Sequence, residues 1–133
     1  MNIIDDIKND FEYQITKIPF QSIKNISIII KENENNLHIG GVGKSGNIAK
    51  HCCDLLKSLS LKSFFFDTVN ITHGDLGVFH ENDIVMLFSN SGNTNEIISI
   101  IPLFIQKNVK LLASRVIMIQ NLNHCVISRW FYP

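Results

Sequence analysis

Residues 83–94 read DIVMLFSNSGNT, an apolar run followed by a short loop that is rich in hydroxyl side chains. An amphipathic stretch follows from Ile97 to Ile105, so the order predicts a strand, a tight turn and a helix. The start of a helix carries unpaired backbone N–H groups and partial positive charge, which together suit an anion such as phosphate. The loop therefore predicts an anion site whose cation comes from elsewhere in the chain.

A second strand–turn–helix unit lies upstream, where residues 37–46 read LHIGGVGKSG. Apolar residues at helical spacing predict a helix from Ser45 to Ser60 after this turn. Glycines allow a ligand to approach the backbone closely, and Lys44 supplies a positive charge. In a parallel sheet, both turns emerge at the carboxyl ends of their strands, where open α/β sheets bind ligands.

The segment GVGKS at residues 41–45 is also similar to the end of a nucleotide-binding P-loop. The spacing G-x-x-x-x-G-K-[ST] requires a glycine at position 38, where this chain has His38. No acidic residue that could bind Mg²⁺ is obvious after a later strand. Nucleotide binding is therefore the less favoured interpretation.

Composition narrows the class of protein and of partner. The chain has 133 residues, of which 45% are hydrophobic and 18% charged, as expected for one domain with a sizeable core. Its 12 basic and 12 acidic residues balance, which gives a nucleic-acid partner no electrostatic support. No apolar run is long enough to span a bilayer, and the first residues lack a signal-peptide pattern. The odd number of cysteines favours a reducing, cytoplasmic location, with these side chains as small buried groups.

The order of elements predicts a single domain over residues 1–133, with a helical N-terminal segment at 1–34 and an α/β core at 35–133. Helices are predicted at 2–16 and 20–32, although the second segment could also form a strand. Strands are predicted at 37–40, 63–66, 84–88, 109–113 and 124–128, with a helical turn at 73–80. Pro102 lies inside the helix predicted at 94–107 and should kink it. This alternation predicts a parallel sheet with helices on both faces.

Three segments together resemble the sugar isomerase (SIS) fold and, within it, the D-arabinose 5-phosphate isomerase family. These segments are GVGKSGNIA at residues 41–49, HGDLG at 73–77, and the serine-rich loop between Asp83 and Glu96. The resemblance covers residues 35–113 and, more faintly, 121–128. It implies a three-layer α/β/α sandwich with a mostly parallel five-stranded sheet.

The resemblance also implies a phosphosugar site and a set of catalytic side chains. The residues that it places against the phosphosugar are Gly43, Ser45, Ser89, Asn90, Ser91 and Thr94. Those that it places in catalysis are Lys44, Glu96 and His73. Aldose–ketose isomerisation of a pentose phosphate needs a base, which Glu96 can supply, and a cation for the developing oxyanion, which Lys44 can supply. Neither a cofactor nor a metal is expected, since no histidine spacing suits a metal.

Two features of this chain depart from the family. The family continues past the fifth strand into a segment that supplies a further glutamate and a histidine, and residues 114–120 lack the glycine turn expected there. We therefore expect weak or absent turnover, and a non-catalytic phosphosugar-binding module or an oligomerisation module as alternatives. A homo-oligomer is also expected, covering either the N-terminal apolar stripe (Ile3, Ile7, Phe11, Ile15) or residues 130–132.

Several of these residues also have a purely structural interpretation. Asn93 and Glu96 have the spacing of a capping box, and the loop hydroxyls could simply satisfy the N–H groups of the helix. The segment His73–Asp75 could be a turn and cap, and His38 is expected to be structural. The run Phe64–Phe66 is expected to be a buried strand.

Overall fold

The computed structural model describes residues 2–118 and 125–131, with side chains described for residues 2–114. The helices are α1 (Ile3–Thr16), α2 (Phe20–Lys31), α3 (Lys44–Ser58) and α4 (Asn95–Gln106), with two 3-10 helices, η1 (Thr68–His73) and η2 (Asp75–Val78). The strands are β1 (Leu37–Gly41), β2 (Ser63–Asp67), β3 (Ile84–Ser89), β4 (Lys110–Met118) and β5 (Cys125–Phe131).

The strands form one sheet in the order β2-β1-β3-β4-β5. The first four pair in parallel, and β5 runs antiparallel to β4, which confirms a mostly parallel five-stranded sheet. The chain passes from β1 through α3 to β2 at one edge, and from β3 through α4 to β4 on the other side. The direction of winding therefore reverses between β1 and β3, which is where ligands bind in open α/β sheets.

Two hydrophobic clusters lie on opposite faces of the sheet and confirm the three layers. One cluster joins Ile39 and Met86 of the strands to Ile26 of α2 and to Ala49 and Cys53 of α3. The other joins strand residues to η1, η2 and α4, and its members are Phe66, Ile71, Phe79, Val85, Leu87, Ile97, Ile100 and Phe104. Alternate residues of β3 enter opposite clusters, as the two-residue period of a strand requires.

The N-terminal segment is helical, as predicted, and residues 20–31 form a helix and not a strand. Asn2 caps α1 by accepting the N–H of Ile4 at 3.2 Å. None of the residues of α1 is buried, and Ile3 and Phe11 are 71% and 50% exposed. Most of the apolar stripe of α1 is therefore exposed in the part of the monomer that the structure describes, and Ile7 is half-buried. No helix among the described residues is long and apolar enough to cross a membrane.

One local expectation, on the burial of β2, is wrong, and another, on the kink in α4, remains a prediction. Phe66 is buried, but Phe64 and Phe65 are 48% and 37% exposed, so the expectation of a wholly buried strand is wrong. The reason is that β2 is an edge strand with helix on one side and only short 3-10 helices on the other. Helix α4 continues through Pro102, and the kink there stays a prediction.

The cysteine side chains that the structure describes are consistent with small core groups. Cys53 is fully buried and Cys52 is half-buried, and both are free thiols. Burial raises the pKa of the Cys52 thiol, and the neighbouring Cys53 raises it further. A raised pKa makes a thiol less reactive. The side chain of Cys125 lies outside the described residues.

Candidate functional site

The turns after β1 and β3 meet at the carboxyl edge of the sheet. Gly41 and Phe88 are paired in register near the ends of these strands, so the segments that follow leave the sheet side by side. Between them lies a cavity of about 390 Å³, lined by Val42, Lys44, Ser45, Ile48, Asn90, Ser91 and Thr94. Its volume is in the range of sites for small molecules. The structure thus brings together Lys44 and the hydroxyl-rich loop.

The first turn is shaped by the close contact of β1 with the start of α3. A Cβ atom on Gly46 would lie 2.8 Å from the carbonyl oxygen of Gly41, too close for any side chain. Gly43 has φ +57° and ψ −126°, a conformation that suits glycine, and it precedes α3 without a side-chain cap. Among the described residues, nothing accepts a hydrogen bond from the N–H groups of Lys44 and Ser45. Helix α3 therefore begins with open donors at the cavity.

In the second turn, Ser89 and Ser91 both bond within the loop. The Oγ of Ser89 accepts the N–H of Gly92 at 2.9 Å and lies 3.1 Å from Oγ1 of Thr94. The Oγ of Ser91 accepts the N–H of Asn93 at 3.1 Å. Ser89 is buried, whereas Ser91 is exposed and lines the cavity. Ser89 thus holds the loop, and Ser91 and Thr94 face the space in which a ligand would lie.

The helix after this loop starts later than the sequence suggested. Thr94, and not Asn93, is the N-cap of α4, so the capping box between Asn93 and Glu96 is wrong. The N–H of Asn93 is engaged by Ser91, which closes a small turn before the helix begins. Thr94 makes no side-chain bond to the helix, because its hydroxyl pairs with Ser89. Within the part of the chain that the structure describes, the N–H groups of Asn95 and Glu96 have no acceptor, so the start of α4 also offers open donors.

Charge in the cavity favours an anion. Lys44 is exposed and is the one charged side chain among the described residues that line it. Two helices begin at its edge, and each contributes partial positive charge. A phosphate group would therefore gain an ammonium group, backbone donors and hydroxyls at the same place.

Two of the predicted catalytic residues lie outside this cavity. His73 ends η1 with an exposed side chain, and it is followed by Gly74 in the left-handed conformation at φ +119°. Glu96 is the second residue of α4 and is also exposed. Neither side chain is among those that line the cavity. The structure therefore joins Lys44 to the phosphate loop but does not place Glu96 or His73 against the same space.

A buried pair at the other end of β1 was not predicted as a pair. The Nε2 atom of His38 lies 3.0 Å from Oδ2 of Asp83, and the two side chains are 6% and 2% exposed. Asp83 also accepts the N–H of His80 at 3.0 Å and that of Asn36 at 3.1 Å. His38 is thus buried within the fold, in the way that its structural interpretation requires. Asp83 was missed, because its ring partner His38 lies 45 positions away in the sequence.

The folded structure lowers the pKa values of both His38 and Asp83, but for different reasons. Burial lowers the pKa of His38, while the hydrogen bond and charge of Asp83 partly oppose this effect. Burial alone would raise the pKa of Asp83, but hydrogen bonds from His80, His38 and Asn36 outweigh it and lower that pKa. At neutral pH the pair is therefore a neutral imidazole beside a carboxylate.

Comparison with known proteins agrees with this architecture. Residues 29–129 match the SIS domain family. The arabinose 5-phosphate isomerase of Pseudomonas aeruginosa is 37% identical over 73 residues, which is 55% of this chain and 22% of that protein. An arabinose 5-phosphate isomerase of Escherichia coli K12 is 36% identical over 85 residues, which is 64% of this chain and 26% of that protein. The matched segments thus span about a quarter of these relatives' length.

A solved structure shows the same fold. A protein of Escherichia coli CFT073, solved in complex with arabinose 5-phosphate, superposes with a TM-score of 0.69 at 30% sequence identity. The match covers 85% of this chain and 65% of that one. The family match spans most of the chain, including both turns of the cavity and the four parallel strands. This chain therefore belongs to the SIS domain family, and its relatives include arabinose 5-phosphate isomerases.

Proposed function

We propose that this chain binds a sugar phosphate in the cavity between β1 and β3 and isomerises a pentose phosphate. The substrate pair is of the arabinose 5-phosphate and ribulose 5-phosphate type. One observation carries the proposal, namely that Lys44 and the open start of α3 line the same cavity as Ser91 and Thr94. The names of the relatives, and the arabinose 5-phosphate bound to a structural neighbour, support the choice of ligand.

The phosphate is assigned to the donors at the two helix starts. Lys44 supplies the positive charge, and the N–H groups of Lys44 and Ser45 supply backbone donors. The hydroxyls of Ser45, Ser91 and Thr94 complete the set. Ser89 acts by holding Thr94, to which its hydroxyl is bonded. Gly43 lets the backbone pass close to the ligand, and Asn90 lies at the rim.

The proposed chemistry is a proton transfer between two carbon atoms of the open-chain sugar. A base removes the proton from C2 of the aldose, and the electron pair forms a C1–C2 double bond while negative charge develops on O1. A proton is then added at C1, and the proton of the C2 hydroxyl passes to O1, which leaves a hydroxyl at C1 and a ketone at C2. Glu96 is proposed as the base and Lys44 as the partner of the oxyanion. His73 is proposed to assist ring opening.

Binding without turnover is the second candidate function. It is favoured by the positions of Glu96 and His73, whose side chains lie outside the cavity lining. Under the catalytic proposal these side chains must approach the sugar when it binds. Under the binding proposal they have no such requirement. The two proposals share the phosphate site and differ only in the role of these residues.

One pair of assays separates the candidates. Isomerase activity is measured with arabinose 5-phosphate and ribulose 5-phosphate, and affinity is measured by calorimetry for the same ligands and for neutral arabinose. Lys44→Ala should weaken phosphosugar binding about tenfold through loss of a charged hydrogen bond. Lys50→Ala, which removes an exposed lysine from the same helix, is the matched control. Equal affinity for arabinose and its 5-phosphate would refute the site.

Glu96→Gln then distinguishes catalysis from binding. In an isomerase it should lower the rate by about 10²-fold or more, because the variant lacks a base. In a binding module it should leave affinity unchanged or slightly improved, because it removes a negative charge near a phosphate. Turnover that survives both Lys44→Ala and Glu96→Gln would show that these residues do not carry the chemistry.

We also propose that α1 mediates a homo-oligomer. Its apolar side chains, including Ile3, Ile4 and Phe11, are exposed, and none of its residues is buried in the monomer. A second copy is the simplest cover for such a stripe. Light scattering at high micromolar concentration should give a mass above that of the monomer, and Phe11→Lys should lower it. A monomer mass for the unaltered chain would refute the proposal.

A further inference from the structure

A second cavity, of about 540 Å³, lies on the edge of the sheet formed by β1 and β2. His38 of β1 and Phe64 and Phe66 of β2 are on the same face, because His38 is paired in register with Phe64. Asp67, at the end of β2, and Asp75, at the start of η2, lie at its margin. This cavity shares no lining residue with the cavity between β1 and β3.

The hydrogen bonds of Asp83 fix which nitrogen of His38 carries the proton. Oδ1 of Asp83 accepts the N–H of Asn36, and Oδ2 accepts the N–H of His80. A carboxylate with these donors stays ionised and can only accept from His38. Nε2 of His38 therefore donates to Asp83, and Nδ1 of the neutral ring keeps its lone pair.

That lone pair has no hydrogen-bond partner among the residues that the structure describes. His38 is one of the residues that line the cavity, although its side chain is only 6% exposed. The ring itself is held between aromatic neighbours. Its centroid lies 4.4 Å from that of Phe79 and 5.8 Å from that of Phe64. A closely packed imidazole thus lines a space with aromatic walls.

The charges around this space select against anions. Asp67 and Asp75 bring two exposed carboxylates, and no lysine or arginine among the described residues lines the cavity. Phe64 is 48% exposed and offers a ring face for stacking. An occupant must therefore be flat, must donate hydrogen bonds and must carry no negative charge. A sugar phosphate is neither flat nor free of negative charge.

We propose that this cavity is a second ligand site, for a flat aromatic or heteroaromatic molecule that bears N–H donors and is neutral or cationic. The ligand stacks against Phe64, donates one N–H to Nδ1 of His38, and directs its remaining donors to Asp67 and Asp75. The site is independent of the proposed sugar-phosphate site, because the two cavities have separate linings.

Benzamidine and benzoate provide a matched pair of probes. They have nearly the same shape, but benzamidine is a cation with N–H donors and benzoate is an anion with acceptors only. Calorimetry should detect benzamidine binding in the millimolar range or tighter, and benzoate should bind at least about tenfold more weakly. The ¹⁵N resonance of His38 Nδ1 should shift on adding benzamidine. Arabinose 5-phosphate should not displace it.

Substitutions test the location of the site. Phe64→Ala should weaken benzamidine binding about fivefold, the size of one aromatic contact. Phe20→Ala removes another exposed phenylalanine, 65% exposed and remote from the cavity lining, and should leave binding unchanged. Asp75→Asn should also weaken binding. The proposal is overturned by equal binding of the two probes, by no benzamidine binding, or by equal effects of Phe64→Ala and Phe20→Ala. Circular dichroism checks that both variants are folded.

Discussion

The two ends of β1 present opposite kinds of surface. After Gly41, at the carboxyl end, the cavity is made of backbone donors, small hydroxyls and Lys44. At His38, near the other end, the second cavity has aromatic rings and an imidazole acceptor, and it extends along β2 to the carboxylates of Asp67 and Asp75. One end therefore favours an anion and the other a donor without negative charge. The contrast shows that a single strand can serve two chemistries when the covering layer differs along its length.

The two regions also differ in how they are held. The anion cavity, which lies between β1 and β3, depends on the close approach of backbone at Gly41 and Gly46. The edge cavity, which lies on the β1–β2 edge of the sheet, depends on the buried bond between His38 and Asp83. These two residues lie 45 positions apart in the sequence. Substitutions at the buried pair should therefore affect the whole fold, and those at the glycines should affect mainly the anion cavity.

Asp83→Ala should have the largest effect on stability. It removes an acceptor from the His38 ring and from the N–H groups of His80 and Asn36, and it leaves these donors partly buried and unpaired. We expect a loss of about 3–5 kcal/mol in the free energy of unfolding, measured by urea denaturation. Asp75→Ala removes an exposed carboxylate and should change stability by less than about 0.5 kcal/mol. Similar losses in both variants would show that the buried pair does not stabilise the fold.

Gly46→Ala should have the next largest effect on stability, and it should also alter the anion cavity. The new Cβ would lie 2.8 Å from the carbonyl oxygen of Gly41, so β1 and α3 must separate. We expect a cost of about 1–3 kcal/mol in stability and a loss of phosphosugar affinity as the N–H groups of Lys44 and Ser45 move.

Gly77→Ala is the matched control for this prediction. A Cβ at Gly77 would meet nothing within 4 Å, and its backbone needs no positive φ. Stability and affinity should both stay close to those of the unaltered chain. If Gly77→Ala and Gly46→Ala weaken binding equally, the close approach of β1 and α3 does not shape the site.

The anion cavity could be predicted from the sequence, and the edge cavity could not. Each turn of the anion cavity is contiguous, so the pattern of strand, small residues and helix is visible in a dozen residues. His38 and Asp83 become neighbours only through the order of strands in the sheet. The exposure of Phe64 has a similar origin, since nothing local shows that β2 lies at an edge. The start of α4 was misplaced by one residue because Ser91 engages the N–H of Asn93.

Within the serine loop, Ser89→Ala should destabilise the protein more than Ser91→Ala. Ser89 is buried and bonds both Gly92 and Thr94, whereas Ser91 is exposed and bonds only Asn93. We expect about 1 kcal/mol for Ser89→Ala, the usual size of a hydrogen bond between neutral groups, and less than about 0.5 kcal/mol for Ser91→Ala. Thermal unfolding measures both. The reverse order would mean that Ser91, and not Ser89, organises the loop.

The smallest effect is expected from protonation of His38, because one side chain titrates and its bond to Asp83 partly offsets the cost of burial. The pKa of His38 is below its usual 6.5 in the folded protein, so the unfolded chain binds a proton first as the pH falls. The stability that neutral His38 contributes is fully present above about pH 6.5. It is lost as the pH falls through the lower pKa that His38 has in the folded state. The nearby charge of His80 lowers the pKa of His38 further.

Urea midpoints measured between about pH 7.5 and 5.5 should therefore decrease steadily toward acid. The decrease should persist in His51→Gln, which removes an exposed histidine from α3, and should be reduced in His38→Gln, whose amide can still donate to Asp83. Benzamidine affinity should fall over the same range, because a protonated Nδ1 can no longer accept a hydrogen bond. If the pH dependence of stability is the same in His38→Gln and His51→Gln, the buried pair of His38 and Asp83 is not its cause.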